Sequence, residues 1–592
     1  MTFPWDFGAT VKDYCYAYLG DVGRALSKGF KGVERDLSSA RIKVHPEVYF
    51  SVVAALALAS ALVPVAILVV AVSGAIPLGV LPGGGVPPLV VATFLLPLLV
   101  LGGGILFPKI KASNRISNLK IEIPYASMYI SVMVSGGLSP FESFRRMGKM
   151  SLLPNMQEEV DRIETIVMST GMDPLSAMEQ TAKTVEIKEF KELLLGYASS
   201  VRTGGDTLHY LFNQTHNMFK GLASTVRAKG ETAAMLMEAY TIVGILGVLG
   251  LFLVFVVGLS IPTAGVSIGS STFFLFSFVV LPALSFVFIY LGDIIQFNYP
   301  LSNWSAYYAT IPSIAVGLAL ATQLVLPFFQ NKPLPRLAVA LSNARAMAGM
   351  PEGTEACLGI TICLLAVALP SWVADYYFAG RDGNVSEGVT LFLRDMVEVR
   401  KSGLSPERCI EALAHRDYMG FTRHLRDIST KMNWGYPLRQ IYEELSHKVR
   451  NWLALVNLYL LLDTIEVGGG TEESIETLAE FSEATKLLEK EKRAALMPLI
   501  LVPYIGCLLL TGTTLMFLGF FTSSNLGISV AEVSLYRTLL TPLAVHSFTL
   551  GLVTGKIVTG RVSAGFKHSA LLSLVSTAGV FLVSRFNTGG LI

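Results

Sequence analysis

Nine stretches of this chain contain no aspartate, glutamate, lysine or arginine, and they restrict the fold more than any other feature. They cover residues 49–72, 86–107, 240–261, 273–292, 306–328, 357–374, 497–521, 538–555 and 569–584. A bilayer core about 30 Å thick requires roughly 20 apolar helical residues. We interpret all nine as membrane-spanning helices. For the short ninth stretch, which Arg585 follows directly, a re-entrant or interfacial helix is the alternative.

The remaining residues have the composition of a water-soluble protein. The nine stretches total 188 residues, so all 46 basic and 44 acidic side chains lie in the other 404. That fraction, about 22%, is close to the soluble norm of about 25%. The predicted segments are an N-terminal segment 1–48, a transmembrane hairpin 49–107, a polar region 108–239, four spans within 240–374, a second polar region 385–494 and three spans within 495–592.

Lysine and arginine near the span ends predict the orientation, because cytoplasmic loops are enriched in them. The basic residues that flank the hairpin are Lys28, Lys31, Arg35, Arg41 and Lys43 before it and Lys109, Lys111, Arg115 and Lys120 after it. The connections 73–85 and 262–272 carry no charge. We therefore expect the N-terminus to be cytoplasmic, and both polar regions as well, because an even number of spans separates them.

One loop disagrees with this topology. The connection 329–356 would be external although it contains Lys332, Arg336 and Arg345, whereas the internal loop 293–305 contains only Asp293. We expect the lysines and arginines at the other span ends to determine the orientation in spite of this loop. The alternative is that one span between residues 273 and 374 is misassigned.

The two polar regions are copies of each other. Four landmarks recur in the same order at offsets between 262 and 266: Gly137-Leu138-Ser139-Pro140 as Gly403-Leu404-Ser405-Pro406, Gly171 with Pro174 as Gly435 with Pro437, Gly204-Gly205-Asp206-Thr207 as Gly468-Gly469-Gly470-Thr471, and Gly244 as Gly506. Apolar residues upstream of both first landmarks have helical spacing. The pattern predicts two small helical bundles in which Ser139 and Ser405 cap helices that begin at Pro140 and Pro406, with Glu142 completing a capping box in the first copy.

The chain lacks the motifs of common enzymes. It has no complete phosphate-binding P-loop, and we interpret the nearest string, Gly551 to Lys556, as a GxxxG helix contact. The single GxSxG string, Gly265 to Gly269, lies in an uncharged connection without a nearby His and carboxylate. The five cysteines form no CxxC pair, which argues against a zinc site. We predict no catalytic, cofactor-binding or metal-binding residue, and we predict that the protein is not an enzyme.

Few ionisable groups lie in the stretches themselves. His546 is the only imidazole there, and we interpret it as structural because no carboxylate shares the membrane interior with it. The net charge of +2 argues against nucleic-acid binding, which requires a concentrated basic surface.

The fold class is thus all-α, a polytopic membrane protein with about nine spans and two homologous cytoplasmic bundles. Its paired G-L-S-P helices, later Gly-Gly turns and following spans resemble the type II secretion F domain, over roughly residues 108–521. The single-chain doubled form with about nine spans resembles the archaeal archaellum and type IV pilus platform.

The resemblance implies a membrane platform that lifts pilin or archaellin subunits from the bilayer, or rotates a filament, by working with a cytosolic hexameric secretion ATPase. It also implies a homodimer in the cell membrane. The basic clusters that would meet the ATPase are Arg145, Arg146 and Lys149, then Arg423 and Arg426, and finally Lys490, Lys492 and Arg493. Charged surfaces of this kind steer association. Any one cluster can equally be a solvated surface or, for the last, a membrane-flanking anchor.

Two other classes of protein stay open at this point. A transporter or permease subunit would have its repeat inside the membrane, together with buried polar residues that the nine stretches lack. A membrane scaffold with helical cytoplasmic modules would require no ATPase partner.

Overall fold

A computed structural model of the protein describes residues 9–30, 32–42, 44–72, 96–185, 187–260, 273–274, 276–296, 299, 304, 306–330, 333–468, 470–523 and 532–587. Every regular element in these ranges is helical. This confirms the all-α fold class.

The described residues of the first half of the chain contain nine α-helices before a short π-helical segment. They are α1 Ala9–Gly29, α2 Val33–Ser39, α3 Pro46–Val72, α4 Leu96–Ser135, α5 Pro140–Met147, α6 Pro154–Thr170, α7 Pro174–Thr184, α8 Lys188–Thr203 and α9 Thr207–Ser260. The π-helical turn is Phe276–Val280.

After the π-helical turn, the part of the chain that the structure describes contains thirteen α-helices. They are α10 Leu281–Ile295, α11 Tyr307–Leu324, α12 Leu326–Gln330, α13 Arg336–Met347, α14 Glu355–Lys401, α15 Pro406–Leu413, α16 Thr422–Asn433, α17 Leu438–Lys448, α18 Trp452–Gly468, α19 Glu472–Leu496, α20 Leu501–Ser523, α21 Glu532–Thr559 and α22 Val562–Asn587. Two short 3₁₀ segments, Met419–Phe421 and Met497–Ile500, precede α16 and α20.

Within the described ranges, seven helical segments are long and apolar enough to cross a membrane, and they overlap the third to ninth uncharged stretches. They are Thr207–Phe255, Phe276–Ile295, Tyr307–Phe329, Glu355–Phe378, Glu472–Gly519, Leu535–Thr559 and Val562–Leu582. The protein is therefore a multi-pass membrane protein. Helix α3 covers the first stretch and α4 begins inside the second, but residues 73–95 lie outside the described ranges, so a total of nine spans stays a prediction.

Residues 1–126 and 153–198 form one compact unit and the remaining residues form another. In the first unit, α3 and α4, which contain the described parts of the predicted hairpin, contact each other near Gly104. The Tyr49 hydroxyl donates to the carbonyl of Gly104 at 2.7 Å. A Cβ at Gly104 would lie 2.4 Å from a methyl group of Val53, so only glycine permits this approach.

In the second unit, α21 and α22 pack most closely where small residues face each other. A Cβ at Gly551 would lie 2.2 Å from the backbone nitrogen of Ser569, and one at Gly555 would lie 2.0 Å from the Cα of Gly565. This confirms the GxxxG interpretation, since only glycine allows the two backbones to approach this far.

Hydroxyl side chains are buried in the same membrane core, contrary to our expectation that it lacks polar residues. Ser547 donates to the carbonyl of Leu543 at 2.9 Å and Thr554 to that of Leu550 at 2.6 Å. Bonds to the preceding helical turn satisfy such hydroxyls without a partner helix, so they do not indicate a transport path. The helix of the ninth span also begins earlier than its uncharged stretch, and His568 is a second imidazole in a candidate span.

Ion pairs occur at the span ends near the loop that disagrees with the predicted topology. Arg345 contacts Glu355 at 3.1 Å. Orientation follows the number of lysines and arginines and not the net charge, so this pair does not remove the disagreement and the topology stays a prediction. At the opposite end of this bundle, Asp293 pairs with Lys556. Tyr299 stacks on Trp452 with ring centroids 5.0 Å apart and therefore lies against α18. Lys332 lies outside the described residues.

The predicted duplication is present helix for helix. We call α5–α8, with the adjoining ends of α4 and α9, the first module. We call α15–α18, with the adjoining ends of α14 and α19, the second module. The paired short helices have 8 residues each, α5 and α15, and 11 residues each, α7 and α17. Positive φ angles recur at Gly137 (93°) and Gly403 (87°), and again at Gly171 (67°) and Gly435 (79°). Such angles favour glycine.

The helix caps and the glycine turns show where the copies differ. Ser139 and Ser405 accept hydrogen bonds from the third residue of their helices at 3.3 and 3.4 Å, as predicted. The side chain of Glu142, which we expected to complete the capping box, pairs with Arg145 instead. In the last turn the positive φ falls on Gly204 in the first copy but on Gly470 in the second. Gly205 has no such angle, Gly468 ends α18, and Gly469 lies outside the described residues.

Candidate functional site

The predicted basic cluster after the first G-L-S-P contains one exposed arginine and one that is partly buried against another helix. Arg145 is exposed, and among the described residues it pairs only with Glu142 of its own helix, at 2.8 Å. Arg146 points to α18, where its Nε donates to Asp463 at 3.1 Å and its other guanidinium nitrogen lies 3.8 Å from Glu466. Arg146 therefore holds residues 127–152 against the second module, a role that the sequence did not suggest.

The other predicted basic residues have different surroundings. The Nε of Arg423 donates to the Nε2 of His424 at 3.2 Å, and the Nε of Arg426 donates to the Ala414 carbonyl at 3.4 Å. Both thus contribute bonds within the second module. Beside the membrane, Lys490 and Arg493 are exposed, and the ammonium of Lys492 lies 5.5 Å from the centre of the Tyr299 ring. Of the three clusters, only the first contributes residues, Arg146 and Lys149, to the cavity described below.

A buried network, which we call the module junction, forms around Asp463. The Tyr129 hydroxyl donates to one carboxylate oxygen at 2.5 Å, while Arg146 donates to the other. Burial and the charge of Asp463 raise the pKa of Tyr129, so the hydroxyl stays protonated. Nearby, the indole of Trp452 donates to the carbonyl of Leu152 at 3.0 Å. The junction therefore rests on one carboxylate that accepts two hydrogen bonds, one of them from a cation.

A cavity of about 260 Å³ opens beside the junction, and we call it the basic cleft. It is lined by Arg146, Lys149, Arg439, Tyr442, Tyr459, Leu462, Asp463 and Glu466. Three cations and two carboxylates leave one net positive charge. Both carboxylates lie next to Arg146, and Lys149 has no ion-pair partner among the described residues. Sequence reasoning selected Arg146 and Lys149 but missed the other six, because residues about 300 positions apart share no local pattern.

Hydroxyl pairs connect the helix that enters each module to the helix that leaves it. Between α4 and α9, Ser127 and Thr215 lie 2.6 Å apart. Between α14 and α19, Thr390 and Ser482 lie 2.9 Å apart, and Asn457 donates to the same Ser482 at 2.9 Å. These pairs are buried, so breaking one would leave an unsatisfied polar group. They tie together the two helices that connect each module to the membrane.

In the first unit, two buried carboxylates organise the start of α6. Glu122 accepts from the amide of Asn155 at 2.6 Å and from the backbone of Met156 at 2.8 Å, so it caps this helix from α4. Burial raises the pKa of Glu122 to about 7, although both hydrogen bonds oppose the shift. Glu159 lies 2.7 Å from Arg115 and 3.2 Å from Arg41. Burial acts to raise the pKa of Glu159, but these arginines lower it overall.

In the part of the chain that the structure describes, no group of three or more histidine, cysteine, aspartate or glutamate side chains could hold a metal ion. The four cysteines Cys357, Cys363, Cys409 and Cys507 are buried, and Cys15 is partly exposed.

Comparisons with known proteins agree with the duplicated architecture. The family described as "Type II secretion system (T2SS), protein F" matches the chain twice, over residues 126–255 and 392–519. A protein of Methanocaldococcus jannaschii, described only as uncharacterized, is 19% identical over 512 residues, which cover 82% of this chain and 83% of the relative. No solved structure matches the chain.

Proposed function

Because the chain carries two type II secretion protein F domains, we propose that it is the membrane platform of an archaeal type IV pilus-like or archaellum assembly machine. Proteins of this family are membrane platform components of secretion and pilus-type systems, and they work with secretion ATPases and pilins. The archaeal assignment is supported by the relative from M. jannaschii. In this proposal both modules and the N-terminus face the cytoplasm, and the protein acts as a homodimer.

The observation that carries the proposal is the continuity between the soluble modules and the spans. Helix α9 runs without a break for 54 residues, from the first module into the span that ends at Phe255. Helix α14 runs for 47 residues, from the span Glu355–Phe378 into the second module. A continuous helix transmits displacement along its axis, whereas a flexible linker does not. A cytosolic ATPase that moves the modules would therefore move the spans around which pilin subunits are lifted.

The test replaces Ala379, Arg381 and Asp382 with glycine, so that residues 379–382 of α14, which lie just beyond the span and already include Gly380, are all glycine. Each glycine costs roughly 1 kcal/mol of helix stability relative to alanine, so the connection becomes flexible while both ends stay intact. We expect the glycine variant to bind the secretion ATPase normally but to assemble no filaments, as judged by electron microscopy of a complemented deletion strain. Four alanines at the same positions, which keep the helix, should support assembly. Normal filaments with the glycine variant would refute the proposed coupling.

A further inference from the structure

The basic cleft has positive charge that the protein itself does not neutralise. Asp463 and Glu466 both face Arg146, which leaves Lys149 and Arg439 on the rim. The side chain of Arg439 is 64% exposed, and its only described carboxylate neighbour is Glu443, at 3.8 Å. Lysine and arginine in such positions bind carboxylate or phosphate oxygens through short, charge-assisted hydrogen bonds. The cleft is therefore complementary to an anionic group.

A second observation also indicates an occupant. The hydroxyl of Tyr442, a residue that lines the cleft, is buried and has no hydrogen-bond partner among the described residues. Buried hydroxyl groups are usually paired, and an unpaired one is unfavourable. The hydroxyl itself has almost no solvent-accessible surface, so an oxygen-bearing ligand in the cleft becomes its acceptor only when the Tyr442 side chain turns toward the cleft.

Exposed aromatic residues adjoin the cleft. The turn that leads into α17 carries Trp434, which is 71% exposed, and Tyr436, which is 41% exposed, and Arg439 follows three residues later. The first module exposes apolar side chains at its corresponding turn, where Met172 is 39% exposed. Tryptophan, tyrosine and arginine dominate the binding energy of protein interfaces. The surface thus combines aromatic anchors with a charged pocket.

The position of the cleft favours a soluble partner over a lipid headgroup. The side chain of Arg400 donates to the carbonyl of Gly470, which follows the α18 residues that line the cleft. Arg400 lies on α14 about 33 Å beyond the span end at Phe378, at 1.5 Å per residue. Glu466 is four residues from Gly470, so the cleft lies well outside the headgroup layer.

We propose that the basic cleft receives one carboxylate from an acidic side chain of a soluble protein, while an apolar side chain of the same segment packs on Trp434 and Tyr436. The inference rests on the proposed function, since that function supplies the partner, a cytosolic secretion ATPase. It goes further than that function because it says which groups bind each other: a segment of the ATPase with an acidic and an apolar side chain, and the basic cleft with Trp434 and Tyr436.

The test measures binding of the purified secretion ATPase to the full-length chain in detergent. The charge-reversed variant Lys149→Glu/Arg439→Glu and, separately, Trp434→Ser should each raise Kd at least about tenfold at physiological salt. The matched control is Arg408→Glu, on α15, whose side chain is 71% exposed and pairs with Glu411 outside the cleft. The control should change Kd by less than about twofold. Thermal unfolding midpoints equal to that of the wild type establish that the variants fold.

Three results would overturn the proposal in different ways. Equal loss of binding in Arg408→Glu would show that general surface charge, and not the cleft, attracts the ATPase. In the second, excess inorganic phosphate displaces the ATPase and also raises the thermal unfolding midpoint of the wild type but not of the double variant. This result would identify a small anion as the occupant of the cleft. Normal ATPase binding by the double variant would refute the cleft assignment alone, whereas a wild-type chain that binds no ATPase would refute the proposed function itself.

Discussion

The module junction gives a quantitative prediction for Asp463→Asn. The substitution keeps the shape of the side chain but removes the charge that accepts from Tyr129 and Arg146. Removing one partner of a buried ion pair costs roughly 3 to 5 kcal/mol. The Arg146 side chain is 30% exposed, so solvent screens part of its interaction and places the loss near the lower value, about 3 kcal/mol. At about 1.4 kcal/mol per factor of ten, the junction should open about a hundredfold more often.

Hydrogen exchange followed by mass spectrometry measures this opening, because backbone amides exchange when a region opens locally. We expect faster exchange in residues 127–147 and 452–468 of the variant. The chain provides a matched control in Asp395, which also accepts from a tyrosine, Tyr418, at 2.8 Å and from an arginine, Arg416, at 2.9 Å. The Asp395 side chain is 35% exposed, so Asp395→Asn should cost less than about 1 kcal/mol, which corresponds to less than about a fivefold increase in local opening. Equal effects of the two substitutions, or less than fivefold for Asp463→Asn, would refute the reasoning.

Three further predictions concern other parts of the chain. The folded pKa of Glu122, about 7, lies above its ordinary 4.5, so the folded state binds the proton more tightly and its stability should fall by up to about 3 kcal/mol as pH rises from 4.5 past 7. Because amide exchange is itself faster at higher pH, rates are compared with the intrinsic rate at each pH; protection of residues 154–170 should then fall over this range in the wild type but not in Glu122→Gln. Gly244→Ala places a Cβ 2.9 Å from the imidazole of His546 and should lower the thermal unfolding midpoint in detergent. In the control Gly250→Ala, the new Cβ has nothing within 4 Å, so the midpoint should not change. Equal midpoints of the two variants would contradict the close packing at Gly244. With Cys15 replaced by serine, a membrane-impermeant maleimide should label Arg336→Cys in intact cells but label Arg408→Cys only after lysis; the reverse result would overturn the predicted topology.

Local patterns in the sequence were enough to predict the helical modules. The glycine at 137 and its copy at 403 predict turns because a positive φ is strained for other residues. The serines that follow predict helix caps through their side-chain oxygens. Both depend only on neighbours within a few residues, and the structure has both. The charge-free stretches likewise predict spans, since the bilayer excludes charge over a fixed thickness.

Long-range pairing was not predictable in this way. Arg146 looked like part of an exposed basic cluster because its sequence neighbours are basic, but Asp463, 317 positions away, neutralises it. In the same way, the sequence did not show that Arg345 pairs with Glu355. A count of charges does not distinguish a free cation from a paired one. The charge-free criterion also placed the start of the last span too late, because Lys567 and His568 lie within an apolar helix.

The two modules differ in how they connect to the following span. The first continues through α9, one uninterrupted helix about 80 Å long at 1.5 Å per residue. The second passes through the 3₁₀ segment Met497–Ile500, which contains Pro498 and separates α19 from α20. The first connection is a single stiff helix, whereas the second consists of two helices separated by a break at Pro498. In the proposed platform, a force applied equally to both modules would reach the bilayer along α9 as a push, whereas the break at Pro498 would convert it into a change of angle between α19 and α20. A symmetric stroke of the modules would then move the spans asymmetrically.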